Sequence, residues 1–147
     1  MNPSTQPKIR EIKRDWHFIS ARGMILGRIA TQIARLLMGK HKRTYAPNLD
    51  AGDWVVVTNA RDVVLSGKKS KQKMYKRYSG YPGGLKIIPF SRMINEHPER
   101  VIEHAISGML PDNRLKKNRL ARLKVFAGSE HPYENKLKAK SEKGKAE

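Results

Sequence analysis

Along the first third of the chain, Leu26, Ile29, Ala30, Ile33, Leu36 and Leu37 recur at the spacing of one helical face, with Arg28, Gln32 and Arg35 on the other side. Gly39 follows where such a helix should end, because glycine adopts the left-handed conformation without steric cost. Before it, Trp16 to Ala21 is short, apolar and partly β-branched, which predicts a strand, and Gly23 permits the turn between the two. Trp54 to Thr58 is a continuous apolar run through Val55, Val56 and Val57. Runs of this kind mark strands covered on both faces, as in parallel sheets flanked by helices. Asp50 to Asp53 reads as a turn before it and Asn59 to Asp62 as a turn after it, with Val63-Val64-Leu65 as a further short strand.

Two helices are expected beyond, over Ser91 to Glu96 and Pro98 to Leu110, with Pro98 suited to a first helical turn. Val101, Ile102, Ala105, Ile106 and Met109 form the apolar face of the second. Leu115, Leu120 and Leu123 predict a short helix docked on the body, and Leu123 to Ala127 a last strand. At 147 residues one domain is expected, large enough to bury a core. Residues 1–14 read as a flexible arm, 15–133 as the domain and 134–147 as a mobile basic tail.

Charge changes the picture. The net charge is +18, a field that favours anionic partners, nucleic acid before an acidic small molecule. Between Asp62 and Glu96 no acidic residue occurs, although an ordinary surface mixes both signs. That stretch holds Lys68, Lys69, Lys71, Lys73, Lys76, Arg77 and Lys86, interleaved with Tyr75, Tyr78 and Tyr81 and closed by Pro82-Gly83-Gly84. Cations between rings and flexible glycines suit an RNA whose phosphates are neutralised and whose unpaired bases stack. The three rings have an equal claim to the core. Two more basic segments follow the same logic: Lys40, His41, Lys42 and Arg43 after the first helix, and Arg114, Lys116, Lys117, Arg119, Arg122 and Lys124.

Catalytic patterns are missing. Gly23 and Gly27 do not make a dinucleotide fingerprint, and Gly67-Lys68 is not a P-loop. His17, His41, His97, His104 and His131 are scattered, cysteine is absent and no serine sits in a nucleophile elbow, so neither metal nor cofactor is expected. No apolar run reaches the ~18 residues of a membrane span. A cytoplasmic, non-enzymatic protein without a small-molecule substrate is the expectation.

Several short motifs then occur in a fixed order. They are Gly39-Lys40-His41-Lys42 with Tyr45-Ala46-Pro47; Gly52-Asp53 leading into Val55-Val56-Val57-Thr58-Asn59-Ala60; and Ser79-Gly80-Tyr81-Pro82-Gly83-Gly84-Leu85-Lys86. Gly108-Met109-Leu110-Pro111 and Leu123-Lys124-Val125-Phe126-Ala127-Gly128 with Glu130-His131-Pro132 complete the set. Together they resemble the bacterial-type family of large-subunit ribosomal protein L-thirteen, over about Trp16 to His131. The resemblance implies a three-layer α/β/α fold around a small, mostly parallel sheet. It also implies a structural role: binding large-subunit ribosomal RNA from early assembly onward, beside neighbouring ribosomal proteins of the subunit.

Carried over by position, the RNA-facing residues are Lys40 to Arg43, the Lys68 to Lys86 loop with Tyr78, Gly80, Tyr81, Gly83 and Gly84, and the Arg114 to Lys124 segment; Arg28 and His131 complete the candidate set. The chain departs from the family pattern at Ser20, where Asp is usual, at Asp112, where Lys is common, and after Pro132. The competing reading is a free RNA-binding regulator that acts on messenger RNA.

Overall fold

The computed structural model describes residues 11–136. The predicted arm therefore lies mostly outside the described residues, as does the tail from 137 onward.

Strand β1 (Trp16–Ser20) leads through Gly23 into helix α1 (Leu26–Met38), and β2 (Trp54–Thr58) follows. Then come α2 (Lys69–Gln72), β3 (Met74–Tyr78), β4 (Leu85–Pro89), α3 (Phe90–Glu96), α4 (Pro98–Met109), α5 (Leu115–Ala121) and β5 (Leu123–Val125). The main sheet has the order β1-β2-β5, parallel throughout, with β2 central. This is the expected α/β class. The run Val55-Val56-Val57 is fully buried because β2 has a strand on each edge and cover on both faces.

Both crossovers, β1 to β2 and β2 to β5, step the same way across the sheet. Right-handed connections then place α1 and α4 on one face, where they pack against each other. Ile29, Ile33 and Leu37 meet Val101, Ile102 and Ile106 there, over Val55 and Val57. Burying side chains of this size contributes about 1.5–3 kcal/mol each.

Aromatic rings cover the opposite face. Trp16 stacks on its register partner Trp54 with ring centroids 5.0 Å apart, and Tyr133 lies 5.3 Å from Trp16. Phe18 stacks on His131 at 5.6 Å, and Phe126 borders both His131 and Tyr133. Residues 126–133 supply part of this aromatic cover, with Phe126, His131 and Tyr133 set against Trp16 and Phe18.

Three local expectations change. Val63-Val64-Leu65 is not a strand; Val64 forms only a single bridge with Ile25. Met109 belongs to the exposed side of α4, unlike Val101, Ile102 and Ile106. Asp50 to Asp53 is not a turn but an irregular, half-buried to buried entrance to β2. Its packing depends on two glycines. A Cβ at Gly52 would sit 1.8 Å from the Leu37 carbonyl oxygen, and one at Gly39 would sit 2.8 Å from that of Ala51. Gly39 also has φ +78°, which ends α1. The end of α1 and the start of β2 therefore touch backbone to backbone.

Candidate nucleic-acid interface

The acid-free stretch is not a loop but a short helical turn followed by an antiparallel hairpin, with Met74 paired to Pro89 and Tyr78 to Leu85. Charged residues occupy both faces of β3, which hides the strand period in the sequence. One face turns inward at Tyr75, which is buried, meets the His104 ring edge-on at 5.3 Å and lies 5.4 Å beneath the Lys73 ammonium. Burial pushes the Tyr75 hydroxyl pKa up. The other face holds Met74, Lys76, Tyr78, Leu85 and Ile87 in the open.

At the hairpin tip Tyr78 is 65% and Tyr81 75% exposed. The Ser79 amide donates to Gly84 O at 3.3 Å and the Gly84 amide to Tyr81 O at 2.9 Å, while Gly80 and Gly83 take positive φ. Lys68, Lys69, Lys71, Lys76, Arg77 and Lys86 are all exposed, and Lys73 is half-buried. Of the three tyrosines, only Tyr78 and Tyr81 present a ring to a partner.

The second basic segment hangs from the end of α1. Lys40 and Arg43 are exposed, but His41 and Lys42 turn back onto Asp53, which has no solvent exposure. Asp53 Oδ1 takes a hydrogen bond from Lys42 Nζ and one of 3.0 Å from the Asp15 amide. Its Oδ2 faces His17 Nε2 and His41 Nε2, each at 2.9 Å. Burial alone would raise the Asp53 pKa. The His17, Lys42 and Asp15 hydrogen bonds, with the Lys42 charge, outweigh it and hold the carboxyl well below the usual range. Lys42 also donates to Lys13 O at 2.7 Å and Ala51 O at 3.1 Å. Two of the histidines that are scattered in sequence thus converge on one carboxylate. Sequence separation concealed this cluster, whose members lie in the Gly39-Lys40-His41-Lys42 and Gly52-Asp53 motifs and in β1.

The third segment divides. Arg114 and Lys117 are exposed, Lys116 is half-buried and bonded to Asp112 at 2.5 Å, and Lys124 is half-buried on β5. The Asp112 departure thus neutralises a neighbouring cation. Arg119 and Arg122 are 1% and 6% exposed, so both leave the candidate interface. Arg122 forms a two-pronged pair with Asp50, and Arg119 Nε lies 3.8 Å from the same carboxylate. His131 is half-buried in the aromatic layer, with its Nδ1 accepting the Tyr133 amide at 3.2 Å. Ser20 accepts from Asn59 Nδ2 at 3.0 Å. Arg28 is exposed on α1.

Two clefts join these parts. One of about 660 Å³ runs between the hairpin and α4, lined by Tyr75, Lys76, Arg77, Arg100 and Leu120 among others. A second of about 440 Å³ brings Lys40 and Tyr45 against Leu110, Pro111, Asn113 and Arg119. Helix α5 contributes to both, so it lies between the hairpin and the basic turn. Arg100, which the sequence motifs did not single out, adds a cation beside Arg77. Among the described residues no helix is long and apolar enough to cross a membrane.

Comparison with known proteins gives a consistent result. Residues 14–132 match the family model described as Ribosomal protein L13. The chain is 52% identical over 126 residues to the large ribosomal subunit protein uL13 of Chloroflexus aggregans, covering 86% of this chain and 88% of that one. The uL13 protein of a Thermoanaerobacter species is 52% identical over 131 residues, 89% of this chain and 92% of its own. That of Petrotoga mobilis is 49% identical over 134 residues, 91% and 89% of the two chains.

Proposed function

The chain belongs to the ribosomal protein L13 family, and on that premise we propose that it binds large-subunit ribosomal RNA and supports early assembly of the subunit. Membership makes it a structural constituent of the large subunit, in the translating cytoplasm. The finer reading rests above all on one observation: the hairpin tip and its flanks expose lysines, arginines and two tyrosines with no carboxylate between Asp62 and Glu96. Such a surface neutralises phosphates at many points while Tyr78 and Tyr81 offer faces on which unpaired bases stack.

The mechanism is scaffolding. The α/β body fixes the hairpin, the Lys40 turn and the open side of α5 relative to one another. Phosphates neutralised at these three places allow RNA segments to approach each other. Arg28, Lys40, Arg43, the hairpin lysines, Arg77, Arg114 and Lys117 make the outward contacts; His41 and Lys42 hold the turn through Asp53. Neighbouring ribosomal proteins complete the surroundings. Residues 15–133 act as the folded unit, with the segments before and after it as extensions.

Sedimentation of cell extracts tests this. About one copy per large subunit, retained through moderate salt washing, is the expected result. Recovery mainly in the ribosome-free fraction would favour a regulator of messenger RNA.

A further inference from the structure

Asp53 divides its two oxygens between different kinds of partner. Oδ1 is occupied by Lys42 Nζ and the Asp15 amide. Among the described residues Oδ2 faces two imidazoles, His17 Nε2 from β1 and His41 Nε2 from the turn after α1, each 2.9 Å away. The three ligand atoms lie within 4.8 Å of one another, and the two rings meet edge to face with centroids 5.7 Å apart. Held by hydrogen bonds alone, this arrangement needs both histidines to carry a proton on Nε2 and both protons to converge on one oxygen.

A cation fits the same triangle. Zinc-class ions take imidazole nitrogen and carboxylate oxygen at about 2.0–2.2 Å, in tetrahedral arrays whose fourth position is free for water. Bonds of that length at tetrahedral angles put ligand atoms about 3.3 Å apart, so each nitrogen–oxygen separation has to lengthen by a few tenths of an ångström and the two imidazole nitrogens, within 4.8 Å of each other, have to settle at the same spacing by small ring rotations. The His17 and His41 side chains are 24% and 32% exposed, which leaves an entry path and room for a water. Ligating carboxylates are oriented by hydrogen bonds to their other oxygen, and here Lys42 and the Asp15 amide supply them. Two nitrogens and one oxygen favour imidazole-preferring metals over magnesium or calcium, which require several oxygens. The nearby Lys42 ammonium, bonded to Asp53 Oδ1, repels a cation and lowers its affinity.

We propose that His17, His41 and Asp53 form a binding site for one zinc-class divalent cation, linking β1, the Lys40–Arg43 turn and the entrance to β2. Binding to the folded chain alone raises its thermal stability with metal concentration. The site is independent of RNA binding, and either reading stands if the other fails.

The test is titration of the untagged full chain with Zn²⁺ by calorimetry and with Co²⁺ by visible absorption, in a weakly coordinating buffer. One equivalent should bind, with a tetrahedral Co²⁺ spectrum and a higher Tm. His17→Gln and His41→Gln should each weaken binding at least tenfold, and His97→Gln should leave it unchanged; circular dichroism checks that each variant is folded. No saturable binding by about 100 µM Zn²⁺, or binding indifferent to both His17→Gln and His41→Gln, overturns the proposal.

Discussion

Arg122 grips Asp50 through two hydrogen bonds of 2.5 Å, one from each terminal nitrogen, across 72 residues of sequence. Arg119 lies against the same carboxylate, so one acid serves two buried guanidinium groups. Asp50→Ala leaves both uncompensated and should cost about 3–5 kcal/mol in chemical denaturation. A destabilisation below about 1 kcal/mol would show that water already satisfies the arginines.

Acid should weaken the fold through Asp53. Its pKa is depressed in the folded state, so the stabilisation is complete above the unfolded carboxylate value of ~3.9 and declines as pH falls below it toward the folded value. Asp53→Asn should lower stability at neutral pH and flatten this part of the acid limb in a Tm-versus-pH series. An unchanged acid limb in the variant would remove Asp53 from the account.

The three hairpin tyrosines should separate by assay. Tyr75→Ala removes a buried ring and should cost about 3–5 kcal/mol of stability. Tyr75→Phe should be neutral or stabilising, since the buried hydroxyl has no hydrogen-bond partner among the described residues. Tyr78→Ala and Tyr81→Ala should leave the fold intact and weaken RNA binding by about 1–3 kcal/mol for each ring that stacks on a base.

Affinity for a large-subunit RNA fragment should fall steeply with salt. About 6–10 neutralised phosphates correspond to a weakening of ~10³–10⁵ between 50 and 200 mM salt. Replacing Lys69, Lys71 and Lys76 with alanine should reduce the slope of log K against log salt by about one for each phosphate left without its lysine. A flat titration of the unaltered chain would exclude the phosphate-based reading.

Truncation after Tyr133 should preserve the folded body, because the ring against Trp16 is retained. Truncation after Glu130 removes both His131 and Tyr133 and uncovers Trp16, Phe18 and Phe126. That change should cost about 2–4 kcal/mol, read as a lower Tm. Equal stability of the two products would deny the aromatic layer a structural role.

Helix α1 and strand β2 were legible in the sequence because each has a one-sided or fully apolar pattern that local spacing reports. The β3–β4 hairpin was not, since Lys76 and Arg77 sit on opposite faces and erase the alternation. Arg119 and Arg122 looked like Lys116 and Lys117 because nothing near them in sequence reveals Asp50. Their place with Leu115 at helical spacing, on one face, was the available clue. Lys40 to Arg43 read as four outward charges, whereas the fold commits His41 and Lys42 to a carboxylate from another motif. Local periodicity finds what packs against the body; it cannot assign partners to charges.

The strand order β1-β2-β5 also imposes a schedule. When β2 emerges during synthesis it can pair with β1 at once, but its other edge waits for a strand that begins at Leu123. At roughly 5–20 residues per second that wait lasts seconds, far longer than local helix formation. The cationic hairpin is made within this interval. The nascent chain thus carries its cationic, acid-free segment before its sheet is closed, so that segment is exposed to solvent and to any polyanion while the second edge of β2 is still open.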